Sequence, residues 1–189
     1  KFRFWNFKFS IMFIYDNIFY KNYKVKFDLR KIIGIAGWSG SGKTTVVESL
    51  INIFKTKYNF TVCALKHAHE NFKIDQEGKD SYRFSEAGAK QVIISSKKQW
   101  ALINNLYNKE KDLDYLLKKT ENTNIVLVEG WKYSKLKKIE IYREKLGREF
   151  LYIKDKNIVA IALEDINIPI KRSIHKLNLN DHLSIADFI

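Results

Sequence analysis

The 189-residue chain is poor in residues that break or crosslink a fold, with one cysteine, one proline, one methionine and eight glycines. A single cysteine, Cys63, cannot form an internal disulfide bond, which favours a reducing cytoplasm. Long apolar runs are also missing. The run at residues 11–15 (IMFIY) is followed at once by Asp16 and Asn17, and no small-residue cleavage site comes after it. We therefore expect neither a membrane span nor a signal peptide.

Negative charge is scarce relative to positive charge, with 34 lysines and arginines against 21 aspartates and glutamates and a formal net charge of +13. Lys, Ile, Asn, Phe and Tyr are common while Pro, Met and Gly are rare, a composition typical of adenine- and thymine-rich codons. Part of the lysine excess is then expected on a solvated surface. The charge predicts that anionic ligands or acidic partners are favoured, and it does not by itself predict nucleic-acid binding.

Half of the glycines fall within residues 34–42, directly before a lysine and two threonines. Residues 37–44 (GWSGSGKT) fit the phosphate-loop pattern G-x-x-x-x-G-K-[ST], between an apolar strand at residues 31–36 and an amphipathic helix. Glycines let consecutive backbone N–H groups surround a phosphate, and the helix N-terminus faces the same anion. We expect Lys43 at the β- and γ-phosphates and the Thr44 hydroxyl on Mg²⁺.

Predicted strands and helices alternate along the rest of the chain. The predicted strands are residues 60–66, 91–95, 99–103, 124–130, 138–143 and 157–163, and the predicted helices are residues 79–88, 109–119 and 181–189. This alternation indicates an α/β fold, a P-loop NTPase with a mostly parallel sheet flanked by helices on both faces. The chain is expected to form one nucleotide-binding domain, residues 31–189, after an N-terminal extension, residues 1–30.

The N-terminal extension has no glycine or proline and interleaves aromatic residues with lysine and arginine. Such a segment suits a nucleic-acid stacking surface or a docking strand. The favoured interpretation is an irregular extension, or upstream sequence ahead of the true start, because a compact domain can begin at the strand near Lys31.

A carboxylate and a polar loop follow two other predicted strands. Glu129 ends the strand at residues 124–130, where it should lie near Mg²⁺ and its waters. The loop after the strand at residues 60–66 should emerge at the same edge of the sheet. In that loop, contacts to an anionic group are expected from His67, Lys79 and Arg83, and organisation of Mg²⁺ or water from Asp75 or Asp80. A solvated polar loop is the alternative. Zinc is disfavoured, since Cys63, His67 and His69 lack a fourth ligand.

Six segments occur in the order and spacing of one protein family: GIAGWSGSGKTT, LKHAHENFKIDQEGKDSYRFSEAGA, VIISS, QWAL, LVEGWK and KIEIYR. From about residue 31 to residue 189 the chain resembles the MobB family, the GTP-binding molybdopterin-guanine dinucleotide biosynthesis adapter proteins. The resemblance implies a P-loop α/β fold, usually dimeric, that binds GTP with Mg²⁺ and hydrolyses it slowly. It also implies assistance to the guanylyltransferase that attaches GMP to the molybdenum-cofactor pterin, molybdopterin.

The resemblance also implies a site, residue by residue. The implied nucleotide-binding residues are Gly37, Ser39, Gly40, Ser41, Gly42, Lys43, Thr44, Thr45, His67 and Lys79. The implied catalytic residues are Lys43, Glu129 and Asp80, the implied Mg²⁺ ligands are Thr44 and Glu129, and Ser81 falls in the same loop as Asp80. Guanine has no visible reader, because NKEK at residues 108–111 resembles the guanine-reading N-K-x-D but ends in Lys111. The expectation of GTP therefore rests on the resemblance alone.

Three functions from different classes remain open. The first is a nucleotide-binding adapter with weak GTPase activity, the second a small-molecule kinase, and the third a basic nucleic-acid-binding module. A kinase should have an arginine-rich lid, which is not found, and no arginine finger is visible. A nucleic-acid module should keep salt-dependent binding without its phosphate loop. The basic stretch at residues 131–138 (WKYSKLKK) is expected on the rim of the site, either receiving an anionic pterin or acidic partner or forming a solvated loop.

Overall fold

The computed structural model describes residues 30–68, 72–106, 110–120 and 123–189. The N-terminal extension lies outside these ranges except for Arg30. His69 and most of the NKEK segment, Asn108 and Lys109, also lie outside them. Across the described ranges, no helix has the length and apolar character needed to cross a membrane.

The described residues form eight strands: β1 (Lys31–Ala36), β2 (Val62–Lys66), β3 (Gln91–Ser95), β4 (Trp100–Asn104), β5 (Ile125–Glu129), β6 (Lys138–Ile141), β7 (Ile158–Leu163) and β8 (His175–Asn178). Six of them make one sheet in the order β2-β5-β1-β6-β7-β8, and every neighbouring pair is parallel. The predicted α/β fold with a mostly parallel sheet is confirmed.

Four α-helices accompany the strands: α1 (Lys43–Thr56), α2 (Asp80–Glu86), α3 (Leu113–Leu117) and α4 (His182–Phe188). Two short 3-10 helices, Glu144–Leu146 and Leu151–Ile153, follow β6. Helix α1 is amphipathic as predicted, because its buried residues recur every three or four positions, at Val46, Val47, Leu50 and Phe54.

Alternate residues of β5 point into different apolar layers, which shows that both faces of the sheet are covered. Ile125 and Leu127 pack in the cluster that contains the buried face of α1 and residues of α4. Val126 and Val128 pack instead with the two buried leucines of α3, Leu113 and Leu117. The four apolar residues of β5, 125–128, are thereby buried on both sides of the sheet, as parallel strands usually are.

Three strand ends meet at one edge of the sheet. In the strand register Ile35 of β1 lies beside Glu129 of β5, and Lys66 of β2 lies on the other side of Glu129. Residues 37–44, which we call the phosphate loop, leave β1 immediately after this position. The fold therefore places the phosphate loop, Glu129 and the residues after β2 next to one another, as predicted from the strand order.

Strands β3 and β4 stand apart from the main sheet as an antiparallel hairpin. The sequence predicted both strands to within one residue of the observed bounds, but it did not separate them from the parallel sheet. Val92 is the buried apolar residue of the hairpin, whereas Ile93 and Trp100 are 68% and 70% exposed. Short apolar strands look alike in sequence whether they lie inside a sheet or on its outside, so their placement needed the structure.

Several predicted boundaries differ from those observed. Strand β8 was not predicted, because its four residues, HKLN, offer one buried apolar side chain, Leu177, at the edge of the sheet. Helix α3 is shorter than the predicted helix at residues 109–119, since Asp112 caps it by accepting a hydrogen bond from the Tyr115 backbone N–H. Strand β2 begins at Val62 rather than residue 60, and β6 ends at Ile141 rather than residue 143.

Candidate functional site

The phosphate loop joins the end of β1 to the first turn of α1 through backbone that glycine permits. Gly40 and Gly42 have φ angles of 79° and 92°, in the left-handed region, and Gly42 is the N-cap of α1. A Cβ on Gly37 would lie 2.6 Å from the Ile141 carbonyl oxygen and 2.6 Å from Ser41 Oγ. The loop is thus closed tightly behind its first glycine, which leaves its other side for an anion.

Ser41 supplies the clearest sign that the loop is built for a ligand. Its side chain is 1% exposed, and among the described residues its hydroxyl has no hydrogen-bond partner. A buried hydroxyl without a partner is costly in a folded protein and marks a place where another group belongs. The glycine backbone and this hydroxyl together fit a bound phosphate.

Lys43 lies at the start of α1 with its ammonium group folded back onto the loop. Its Nζ donates a hydrogen bond of 2.9 Å to the Trp38 carbonyl oxygen. Burial lowers the pKa of Lys43 from its usual value, the Glu129 carboxylate opposes that shift, and the charges of Lys66 and Lys132 add to it. A partly buried ammonium group with other cations near it favours an incoming anion.

Thr44 and Glu129 are brought together at the mouth of the loop. The Thr44 hydroxyl donates to Glu129 Oε1 over 3.0 Å, and the Lys66 ammonium lies 3.8 Å from the same oxygen. The Glu129 side chain is only 12% exposed. A hydroxyl and a carboxylate oxygen beside a phosphate site are the ligand types that Mg²⁺ takes, so the residues present fit that ion.

His67 follows β2 and packs against the segment that follows β5. Its Nε2 lies 2.8 Å from Glu110 Oε1, and its ring stacks on Trp131 at a centroid distance of 4.8 Å. Gly130 makes this stack possible, because a Cβ there would lie 2.5 Å from the His67 Cβ. His67 therefore lies next to Glu129 while its ring is held by Glu110 and Trp131, and the expected anion contact stays a prediction. Trp131 packs partly into the α3 cluster while facing His67.

The loop before α2 is organised around Asp75 rather than around the phosphate loop. Asp75 Oδ1 accepts hydrogen bonds from the Ser81 hydroxyl at 3.0 Å and from the Gln76 N–H at 2.9 Å. Asp80 and Arg83 are largely exposed and pair with each other at 3.6 Å on α2. Within the ranges described, no hydrogen bond or ion pair joins Lys79, Asp80 or Arg83 to the phosphate loop. The structure gathers Lys43, Thr44 and Glu129, and it leaves the α2 residues outside that group.

Arg143 is a residue of the site that the sequence did not reveal. From the segment after β6, its Nε donates a 2.9 Å hydrogen bond to the Ser41 carbonyl oxygen, and its Nη1 pairs with Glu164. A Cβ on Gly42 would lie 3.3 Å from its Nη2, so the guanidinium group packs against the loop backbone. The sequence signal was an arginine at the end of a predicted strand, residues 138–143, which has no distinctive pattern.

Comparisons with known proteins agree with this fold. The family model described as molybdopterin guanine dinucleotide synthesis protein B, MobB, matches residues 32–164. The molybdopterin-guanine dinucleotide biosynthesis adapter protein of Haemophilus influenzae is 38% identical over 160 residues, 84% of this chain and 86% of that protein. Its Escherichia coli counterpart is 34% identical over 163 residues, 84% of this chain and 90% of that protein.

Solved structures of MobB proteins share the fold. A crystal structure of molybdopterin-guanine biosynthesis protein B aligns with a TM-score of 0.64 and 22% identity, covering 83% of this chain and 95% of that one. The Bacillus subtilis MobB structure aligns with a TM-score of 0.63 and 23% identity, covering 84% and 94%. At these identities the likeness concerns the architecture of the chain.

Proposed function

The chain belongs to the MobB family, and from that premise we propose that it is a GTP-binding adapter protein with weak GTPase activity in molybdopterin guanine dinucleotide biosynthesis. Its partners in this proposal are the molybdenum cofactor guanylyltransferase and the molybdopterin cofactor. The observation that carries the nucleotide part is the grouping of Lys43, Thr44 and Glu129 around a glycine loop whose buried Ser41 hydroxyl has no partner among the described residues.

The proposed binding event exchanges hydrogen bonds inside the phosphate loop. Lys43 Nζ leaves the Trp38 carbonyl oxygen for the β- and γ-phosphate oxygens, and the loop N–H groups and Ser41 hydroxyl donate to the same phosphates. The Thr44 and Glu129 oxygens, already adjacent, would hold Mg²⁺ directly or through water. When bound, Mg²⁺ supplies positive charge that offsets the phosphate charge.

Slow hydrolysis is the second part of the proposal. Among the described residues, the arginine that hydrogen-bonds to the phosphate loop is Arg143, which donates to the Ser41 carbonyl oxygen and pairs with Glu164, so it serves the loop backbone. An arginine that reaches the transferring phosphoryl group contributes a rate factor of about 10³ to 10⁵. Without that contribution the isolated chain should turn over GTP well below the usual enzyme range of roughly 1 to 10³ per second.

A homodimer is the third part of the proposal. The β3–β4 hairpin exposes a set of large apolar side chains that a monomer would leave in water: Ile93, Ile94, Trp100 and Leu102. By the strand register Ile93, Trp100 and Leu102 share one face of the hairpin, and exposed apolar residues grouped in this way mark protein interfaces. We assign this surface to a second copy of the chain, with residues 31–189 as the nucleotide-binding domain and residues 1–30 as an extension.

A cofactor-maturation assay tests the proposed role. Adding the protein to its cognate guanylyltransferase, with molybdopterin, GTP and Mg²⁺, should raise the yield of guanylated cofactor, and Lys43→Ala should remove the gain. Lys55→Ala, which changes an exposed lysine of the same helix α1, should not remove it. Rapid phosphorylation of a small metabolite by this chain alone would contradict the adapter role in favour of a kinase.

A further inference from the structure

A second group of cations lies beside the phosphate loop, around the indole ring of Trp38. Lys132, from the segment after β5, places its Nζ 3.4 Å from the Trp38 ring centroid. Arg148, from the segment after β6, places its guanidinium carbon 5.6 Å from the same centroid. Two loops that are distant in sequence thus bring their positive charges to one aromatic side chain of the phosphate loop.

Trp38 is fixed in a position that holds this group next to the nucleotide site. Its Nε1 donates a 2.8 Å hydrogen bond to the Glu149 carbonyl oxygen. The Trp38 carbonyl oxygen accepts a hydrogen bond from Lys43 Nζ. The backbone of Trp38 therefore contacts the lysine of the phosphate loop, while its ring contacts the second cation group. The ring also packs against the apolar cluster around Tyr152, which limits its movement.

Lys132 and Arg148 form no ion pair or hydrogen bond with any of the described residues. Lys132 interacts electrostatically with the buried carboxylate of Glu140. The Glu140 oxygens already accept hydrogen bonds from the Leu151 and Tyr152 N–H groups. Burial lowers the pKa of Lys132 from its usual value, the Glu140 carboxylate opposes that shift, and the charge of Lys154 adds to it. Such a group retains all three N–H donors for an anion.

We propose that Lys132 and Arg148, held on Trp38, form a second anion subsite that receives the phosphate monoester group of a ligand other than the nucleotide. An ammonium group and a guanidinium fork are the side chains that bind phosphate oxygens best. The ligand's phosphate would lie one indole ring away from the nucleotide phosphates. The phosphate loop and this subsite together would hold two phosphate-bearing molecules side by side, which is the arrangement an adapter between a nucleotide and a phosphorylated cofactor needs.

This inference rests on the proposed function only in taking the phosphate loop as a nucleotide site. Anion binding at Lys132 and Arg148 can be tested separately. The probe is ribose 5-phosphate, with ribose as the uncharged control, titrated into the full-length protein loaded with GDP and Mg²⁺. The readout is the indole N–H signal of Trp38 in a nitrogen–proton NMR spectrum, assigned by its loss in Trp38→Phe. Because that N–H donates to Glu149, the signal reports a change at the ring.

The expected result is a saturable shift of the Trp38 signal by ribose 5-phosphate and none by ribose, with a dissociation constant in the ~millimolar range. Lys132→Met and Arg148→Met keep apolar stems and should each weaken binding at least about fivefold, because each removes a charge-assisted hydrogen bond. Lys132→Arg should retain binding. Lys135→Met changes an exposed lysine of the same segment and should stay within about twofold, because an exposed surface charge contributes little.

Three results would overturn the inference. The first is no saturable shift in the wild-type protein, and the second is an equal loss of binding in Lys135→Met. The third is a fall in GTP affinity of about tenfold in Lys132→Met with GDP affinity unchanged, which would assign Lys132 to the γ-phosphate. If GDP itself fails to bind, the proposed nucleotide role fails, and the same titration of the nucleotide-free protein still decides the subsite.

Discussion

The phosphate-loop edge and the β3–β4 hairpin are both built from short apolar strands, but the apolar side chains are buried in the first region and exposed in the second. Ile35 and Val128, which lead into the phosphate loop and Glu129, are completely buried. Ile93 and Trp100 of the hairpin are mostly exposed. At the first region buried apolar residues support a loop whose Ser41 hydroxyl has no partner among the described residues. At the second region the apolar side chains are themselves exposed. The first therefore suits a small anionic ligand, and the second suits another protein.

The largest expected effect is on nucleotide affinity at the phosphate-loop edge. Lys43→Ala should weaken GTP binding at least about 100-fold, because two charge-assisted hydrogen bonds to phosphate are lost. Thermal unfolding of the nucleotide-free protein should change little, since Lys43 contacts a loop carbonyl oxygen rather than the core. Calorimetric titration measures the affinity, with Lys55→Ala as the matched control. Equal GTP affinity in both variants would contradict the assignment of this loop as the nucleotide-binding site.

A smaller loss of nucleotide affinity is expected from Arg143, which supports the backbone of the phosphate loop. Arg143→Ala should weaken GDP and GTP binding alike by about tenfold, because the Ser41 carbonyl oxygen loses its charged donor and the loop backbone loses its support. Arg143 acts through the loop, so the GTP-to-GDP affinity ratio should stay constant. The exposed Lys145→Ala is the control. A loss confined to GTP would place Arg143 on the γ-phosphate and contradict this positioning role.

Substitution in the hairpin should change dimerisation rather than nucleotide affinity. Trp100→Lys should raise the dimer dissociation constant at least about tenfold, because a large exposed aromatic residue at an interface is replaced by a charge. Sedimentation velocity measures the association, and Gln99→Lys adds the same charge beside it as a control. Nucleotide affinity should not change in either variant. A weakened GTP affinity in Trp100→Lys would break the separation between the two regions.

The smallest effect is expected from the N-terminus. Deleting residues 1–28 should leave GTP affinity and the midpoint of thermal unfolding nearly unchanged, because the first strand of the sheet begins at Lys31. The deletion keeps Arg30, whose guanidinium group donates to the Leu117 carbonyl oxygen. A large drop in the unfolding midpoint would show that the aromatic segment packs into the domain or across the dimer.

The two regions also differ in how far the sequence predicts them. The phosphate loop was predictable because glycines, a lysine and a threonine at fixed spacing determine the local backbone, and Glu129 followed from a strand that ends in a carboxylate. Arg143 was not, since its contact with Ser41 joins residues 102 positions apart. The hairpin strands were found but their separate sheet was not, because residue pattern carries no information about which sheet a short apolar strand joins.

Calorimetric titration of GTP and ATP measures whether the phosphate-loop edge binds a nucleoside triphosphate with Mg²⁺. With Mg²⁺ present we expect saturable GTP binding at one site per chain and weaker ATP binding. Removing Mg²⁺ with EDTA should lower GTP affinity at least about tenfold, because the phosphate charge is then offset by protein groups alone. The absence of saturable binding for both nucleotides, with and without Mg²⁺, would show that this edge is not a nucleotide site.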